Sequence, residues 1–335
     1  MYKYENIKTI HLENTQNCQA SCPMCDRNQN GGALNPHIDL SELTLDDCKR
    51  IFEPEFIAQL NTMYMCGNLG DPIVARDTLE IFKYFRKHNS KMWLSMNTNA
   101  GAKSAEWWQE LAGVFGRMGA VIFSVDGLRD TNHLYRQGVV WDNVERNMRA
   151  FIDAGGTAIW KMIKFDHNKH QIDDCKKLSK QLGFKKFIVV DHGRNSGPVF
   201  DDQGNLTRVL GDFTGSTELE HYIDIIDNGD MFIEDIWDKP KNNISCQTIN
   251  GKSVYISSEG EVYPCCFMGF NPRKYGKGRW HQPVNAQISE LLEPNNALER
   301  PLQECIEWFN KIPACWNKST FEDGRLIVCD ASCGY

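Results

Sequence analysis

No stretch of the 335 residues is apolar for long enough to cross a bilayer. The longest runs are pieces such as Ala120 to Val125, far below the roughly 20 residues a spanning helix needs. The first residues, Met1 to Glu5, are polar and lack the apolar core of a secretory leader. Positive charge is not in excess either. The 37 Lys and Arg are outnumbered by 44 Asp and Glu, for a formal net charge of −7. No bulk cationic field draws the chain to nucleic acid or anionic lipid. Internal repeats and low-complexity segments are missing, and 41% apolar with 24% charged residues is a globular composition. The expectation is a soluble, cytoplasmic protein with neither nucleic acid nor membrane as partner.

Cysteine, in contrast, is abundant. There are 13, an odd number and about twice the ordinary usage. With no export signal, structural disulfides are not expected, because the cytosol keeps thiols reduced. Clustered cysteines in such a chain point to metal, so their placement along the chain decides the reading.

The first 195 residues alternate short apolar runs with amphipathic stretches. Strands are expected at Lys8 to Glu13, Asn61 to Cys66, Lys91 to Met96, Ala120 to Val125, Ala158 to Phe165 and Lys186 to Val190. Helices are expected at Thr44 to Ile57, Ala75 to His88, Ser104 to Arg117, Trp141 to Ala154 and Ile172 to Leu182. Gly155-Gly156 and Gly183 stand where a left-handed helix end wants glycine. This alternation predicts parallel βα units with right-handed crossovers. Six strands are too few for a full eight-stranded barrel, which leaves an α/β partial barrel or an open doubly wound sheet. Residues 196–243 read as a linker with some local structure, of poor periodicity apart from Glu218 to Ile226. In residues 244–335 a hairpin is expected, Ser253 to Ile256 and Val262 to Pro264 around Ser257-Ser258-Glu259-Gly260. Leu292 to Asn310 is broadly helical, interrupted by Pro294 and Pro301.

Cys18, Cys22 and Cys25 follow the first strand, on the loop at its C-terminal end, where parallel βα folds bind ligands. A structural zinc site wants four closed ligands. Three thiolates leave one coordination position open, as a reactive centre needs. The successive strands then end in Cys66-Gly67-Asn68-Leu69-Gly70-Asp71-Pro72, in Asn97-Thr98-Asn99-Ala100-Gly101 and in Ser124-Val125-Asp126-Gly127. Each could be an ordinary turn. The CxxxCxxC loop with these three segments in this order resembles the radical S-adenosylmethionine (radical SAM) superfamily. Met24 stands where that family usually has an aromatic residue.

The resemblance implies a partial (β/α)6 barrel over residues 1–195, a [4Fe–4S] cluster on Cys18, Cys22 and Cys25, and bound S-adenosylmethionine. It implies cofactor contacts at Met24, Gly67, Asn68, Gly70, Asp71, Asn97, Ser124 and Asp126. The chemistry implied is reductive cleavage of the cofactor to a 5′-deoxyadenosyl radical that removes hydrogen from a substrate carbon. An external one-electron donor such as flavodoxin or ferredoxin is implied too.

The spacing Cys246, thirteen residues, Gly260, four residues, Cys265 is similar to the opening of the SPASM/twitch extension of that superfamily, and Cys329 and Cys333 to its close. The resemblance implies a small hairpin-plus-helix domain with an auxiliary [4Fe–4S] cluster on Cys246, Cys265, Cys329 and Cys333, with Cys315 as substitute. The dense cysteine run of a full SPASM domain is missing, so the shorter twitch form fits better. Spacing alone also allows a zinc-stabilised binding module without catalysis. Cys48, Cys66, Cys175, Cys266 and Cys305 read as packing residues. The substrate is a small polar metabolite or a peptide. Candidate contacts are Lys164, His167, His192 and Arg194, with His192 and Arg194 preferred because they directly follow the sixth strand.

Overall fold

A computed structural model describes residues 1–191, 197–211, 243–269 and 287–335. Six strands carry the first part of the chain: β1 (Thr9–Leu12), β2 (Thr62–Met65), β3 (Trp93–Thr98), β4 (Gly119–Ser124), β5 (Ala158–Ile163) and β6 (Lys186–Val190). They pair in sequential order, all parallel. A doubly wound sheet reverses its strand order at a switch point. This one does not, so the strands form the arc of a partial barrel.

The helices lie where the 3.6-residue pattern put them, with ends set by local chemistry. The expected Thr44 to Ile57 helix is two helices, α1 (Leu45–Ile51) and α2 (Pro54–Ala58). Pro54 cannot donate into the preceding turn and takes the first position of the second helix. Thr44 and Asp47 form a reciprocal capping box on α1. The stretch from Ala75 to His88 narrows to α3 (Thr78–His88), and Ser104 caps α4 (Ala105–Phe115). After the short α5 (Asn132–Tyr135) come α6 (Trp141–Asp153) and α7 (Ile172–Leu182), and Gly183 ends α7 at φ +90.

Period-2 alternation sorts the two faces of the arc. Leu94, Met96, Val121, Phe123, Trp160 and Met162 are buried beneath the helices. There Trp108 of α4, Phe123 of β4 and Phe151 of α6 pack as an aromatic cluster. The alternate positions Asn97, Ser124 and Lys161 are half-buried and face the concave side.

Two features go beyond the expectation. Residues expected to be linker contain an antiparallel hairpin, β7 (Gly197–Phe200) with β8 (Leu206–Leu210). The expected hairpin is present as β9 (Ser253–Ile256) and β10 (Val262–Tyr263), but it extends the first sheet. β9 pairs in parallel with β1, from Thr9↔Ser253 to Leu12↔Ile256, giving the order β10-β9-β1-β2-β3-β4-β5-β6. Between Leu292 and Asn310 the backbone is helical only in short pieces, such as Leu302–Cys305 after Pro301. The Glu218 to Ile226 stretch lies outside the described residues. Among the described residues, no helix is long and apolar enough to cross a membrane.

Candidate active site

A cavity of about 690 Å³ opens at the C-terminal ends of the strands. Cys18, Cys22 and Cys25 all line it. Their loop is fixed from several sides. The backbone N–H of Cys25 donates to the Cys22 carbonyl at 3.0 Å, that of Ser21 to the Gln137 carbonyl at 3.0 Å, and Arg27 Nε to the Gln16 carbonyl at 3.0 Å. The thiols already meet donors: Ala20 N lies 3.4 Å and Asn99 Nδ2 3.6 Å from Cys18 Sγ. Arg136 Nη1 lies 3.8 Å from Cys22 Sγ. Burial pushes the Cys18 and Cys22 thiols up, and Arg136 works against that at Cys22. Ligation of metal here therefore has to release protons.

Met24 of the cysteine loop and the strand-end residues Gly67, Asn68, Gly70, Asp71, Asn97 and Ser124 line the same cavity. Gly70 packs so closely on the cysteine loop that a Cβ would sit 2.0 Å from the Thr15 carbonyl oxygen. The Asp71 carboxylate accepts the N–H groups of Asn99 at 2.7 Å and Ile73 at 3.2 Å, locking the β2 and β3 loops together.

Asp126 is different. It is fully buried, does not line the cavity, and takes the Ile163 N–H at 2.6 Å and Arg136 Nε at 2.7 Å. The expected direct contact is thus a support that carries Arg136 to the cavity wall. Arg136 follows Asp126 by ten residues, just past α5, and the sequence pattern alone assigns it no role. Lys161, also missed, lines the cavity from β5.

A second cavity of about 380 Å³ is lined by Cys246, Cys265, Cys329 and Cys333, while Cys315 is not in its wall. Cys246 precedes the short helix Gln247–Gly251, and Cys265 follows β10. Cys329 and Cys333 are four apart on the helix Ile327–Cys333, hence on one face. The N–H of Ser245 donates to the Cys333 carbonyl at 2.9 Å, pinning the chain end beside Cys246. Buried Arg325 holds that helix through Asp330 at 2.8 Å. Burial pushes Cys329 up to about 12, with Cys246 and Cys333 among its electrostatic neighbours. Among the described residues, no three or more His, Cys, Asp or Glu close on a single ion.

The two cavities share a wall of Cys266, Phe267, Val328 and Ser332. Cys266 does not point away from Cys265 as alternation on a strand would require, because the chain leaves the strand at Pro264 and turns helical at 266–269. Cys66, read as packing, lines the first cavity. His11 links the two sides: it lines the second cavity, and its Nε2 lies 2.6 Å from the Cys66 carbonyl. Cys48, Cys175 and Cys305 are buried in the core. Of the substrate candidates, Lys164 pairs with Asp191, and neither Lys164 nor His167 lines either cavity. His192 and Arg194 lie outside the described residues.

No protein-family model and no curated protein matches the chain. Solved structures do. SuiB of Streptococcus suis bound to S-adenosylmethionine aligns with a TM-score of 0.57 at 16% identity, over 98% of this chain and 73% of that one. The enzyme anSMEcpe with bound AdoMet (S-adenosylmethionine) aligns with a TM-score of 0.55 at 15% identity, over 95% and 85%. SuiB bound to its precursor peptide SuiA aligns with a TM-score of 0.51 at 15% identity, over 96% and 76%. The chain has the fold of radical SAM enzymes of the SPASM/twitch type.

Proposed function

We propose that the chain is a radical SAM enzyme. The reading is carried by one observation: the three cysteines of a single loop line one cavity together with the strand-end segments Gly67 to Asp71, Asn97 and Ser124. A [4Fe–4S] cluster on Cys18, Cys22 and Cys25, with S-adenosylmethionine in the open position, would supply a radical able to take hydrogen from an unactivated carbon.

The residues present fit that group. Cys18, Cys22 and Cys25 offer three soft thiolate donors, and the sulfurs of Cys18 and Cys22 already meet N–H groups. Gly67 and Gly70 let the segment after β2 fold tightly on itself and on the start of the cysteine loop, where a Cβ would meet the Gly70 and Thr15 carbonyl oxygens at 1.8 and 2.0 Å. Arg136, held by Asp126, offers a fixed cation beside Cys22. Asn97 and Ser124 present an amide and a hydroxyl from the concave face.

Residues 244–335 are proposed as a twitch-like unit in which Cys246, Cys265, Cys329 and Cys333 hold an auxiliary [4Fe–4S] cluster. Their common cavity supports this set over one containing Cys315. The substrate is a peptide or a small polar molecule. SuiB with SuiA and anSMEcpe with a Cp18Cys peptide are peptide-bound structures of similar fold, which favours the peptide. An external one-electron donor of the flavodoxin or ferredoxin class completes the reading.

The test is anaerobic iron and sulfide analysis. About eight irons per chain are expected. A Cys18/Cys22/Cys25→Ala variant should retain about four irons and lose 5′-deoxyadenosine formation from S-adenosylmethionine and dithionite. A Cys246/Cys265/Cys329→Ala variant should also retain about four, whereas Cys315→Ala should lose none. Zinc without iron in the wild type would establish the metal-stapled binding module instead.

A further inference from the structure

Among the described residues, two cations line the first cavity, Arg136 and Lys161. They differ in what already holds them. Arg136 is committed to Asp126 at 2.7 Å. Burial opposes its charge, but Asp126 and Cys22 outweigh that and hold it protonated. Lys161 has no hydrogen bond or ion pair to its ammonium among the described residues. Its strand position is fixed, with Ser124 of β4 on one side and Ile188 of β6 on the other. The alternation that turns Trp160 and Met162 into the core turns Lys161 to the concave face. A half-buried cation without a counter-ion is costly unless a ligand completes it.

The two cations also differ in place. Arg136 lies 3.8 Å from Cys22 Sγ, at the three-cysteine loop. Lys161 instead is carried by β5, beside Ser124 of β4, four strands along the sheet from β1, whose loop carries the three cysteines. We propose that Lys161 is the anchor for a carboxylate of the substrate in the first cavity. A lone ammonium balances one unit of negative charge. Asp26 and Asp71 in the same lining disfavour a dianion such as a phosphate monoester. The assignment rests on the radical SAM reading, and it names the substrate class as a carboxylate-bearing molecule, such as an acidic peptide. The other claimant to the ammonium is the carboxylate of S-adenosylmethionine.

The experiment uses cluster-loaded protein under anaerobic conditions, saturated with S-adenosylmethionine. Calorimetry measures binding of three probes, acetyl-Ala-Glu-Ala-amide and its Gln and Lys counterparts. Wild type should bind the Glu probe about tenfold more tightly than the Gln probe, the factor that about one exposed-to-half-buried ion pair supplies. Lys161→Met should erase the difference, and Lys161→Glu should turn the preference to the Lys probe. Affinity for S-adenosylmethionine, measured separately, should stay within about twofold in Lys161→Met. No preference in wild type, a preference that survives Lys161→Met, or a tenfold loss of S-adenosylmethionine affinity in that variant would each overturn the assignment. 5′-Deoxyadenosine formation by wild type without peptide is read in parallel. Its absence would end the radical reading while leaving the charge preference to be judged on the binding data.

Discussion

The Asp126–Arg136 pair is where stability and the proposed cofactor site depend on the same atoms. Asp126 is fully buried, and the Arg136 side chain is 16% exposed. Removing one member of such a pair strands the other charge, at a cost of about 3–5 kcal/mol. Asp126→Asn keeps the shape and an acceptor for the Ile163 N–H, so its cost is expected near the low end, about 3 kcal/mol. Asp126→Ala also orphans that buried N–H, for about 1–3 kcal/mol more. Arg136→Met combined with Asp126→Asn removes both charges, and the double variant should be more stable than the sum of the two single effects by about 2 kcal/mol or more. The assay is urea unfolding followed by tryptophan fluorescence, on protein with equal cluster content, with S-adenosylmethionine affinity measured in parallel. Affinity should fall in every variant, including the double variant that regains stability, because Arg136 no longer faces Cys22. The reasoning fails if Asp126→Asn costs less than about 1 kcal/mol, if the two substitutions are additive, or if affinity recovers along with stability.

Two further outcomes follow from contacts at the same sites. Gly70→Ala would place a Cβ 2.0 Å from the Thr15 carbonyl oxygen, so the cysteine loop must shift. S-adenosylmethionine affinity should drop at least tenfold with far-UV circular dichroism unchanged, and unaltered affinity would refute the close packing. Burial lowers His11 to about 4, partly opposed by its contact with the Cys66 carbonyl. The unfolded imidazole, near 6.5, then takes its proton first, so His11's contribution is intact above about pH 6.5 and is lost as pH falls toward 4. Between pH 7.5 and 5 the wild type should lose about 2 kcal/mol more than His11→Phe, which keeps a ring beside Tyr64. Equal losses in the two proteins would refute this.

What the sequence made legible was local or periodic. The βα alternation has its period written into each segment, and the segments after β2 and β3 sit at strand ends by construction. The auxiliary cysteines could be grouped because the Cys246, Gly260, Cys265 spacing and the Cys329, Cys333 pair resemble the SPASM/twitch pattern. What escaped depends on distant pairings. Asp126 looks like a ligand contact from its strand-end motif. Its buried hydrogen bonds to Arg136, just after α5, and to the Ile163 N–H, at the end of β5, make it a support. Lys161 reads as one more lysine in an apolar run until the register with Ser124 shows which way it faces. The hairpin at β7 and β8 was hidden because its Gly, Asp and Asn residues suit a linker and a turn equally well. The Pro54 break needed no tertiary information and was available from the chain alone.

The pairing of β9 with β1 has the largest consequence for function. Parallel strands need a crossover, and here it encloses the whole arc from β1 to β6 before the chain returns to the edge of β1. That return sets Tyr255 of β9 against Glu13, whose carboxylate also accepts the Leu69 N–H at 2.7 Å at the rim of the first cavity. It also sets Cys265 and Cys266 just beyond β10, one facing only the second cavity and the other facing both. The C-terminal part of the chain supplies the shared wall, Cys266 and Phe267 from the hairpin's end and Val328 and Ser332 from the C-terminal helix, while the three-cysteine loop and the ends of β2 to β5 supply much of the rest of the first cavity's lining. A substrate held in the first cavity by Lys161 would therefore lie between the three-cysteine loop and the four-cysteine cavity, with Cys66 and Cys266 on the path between them.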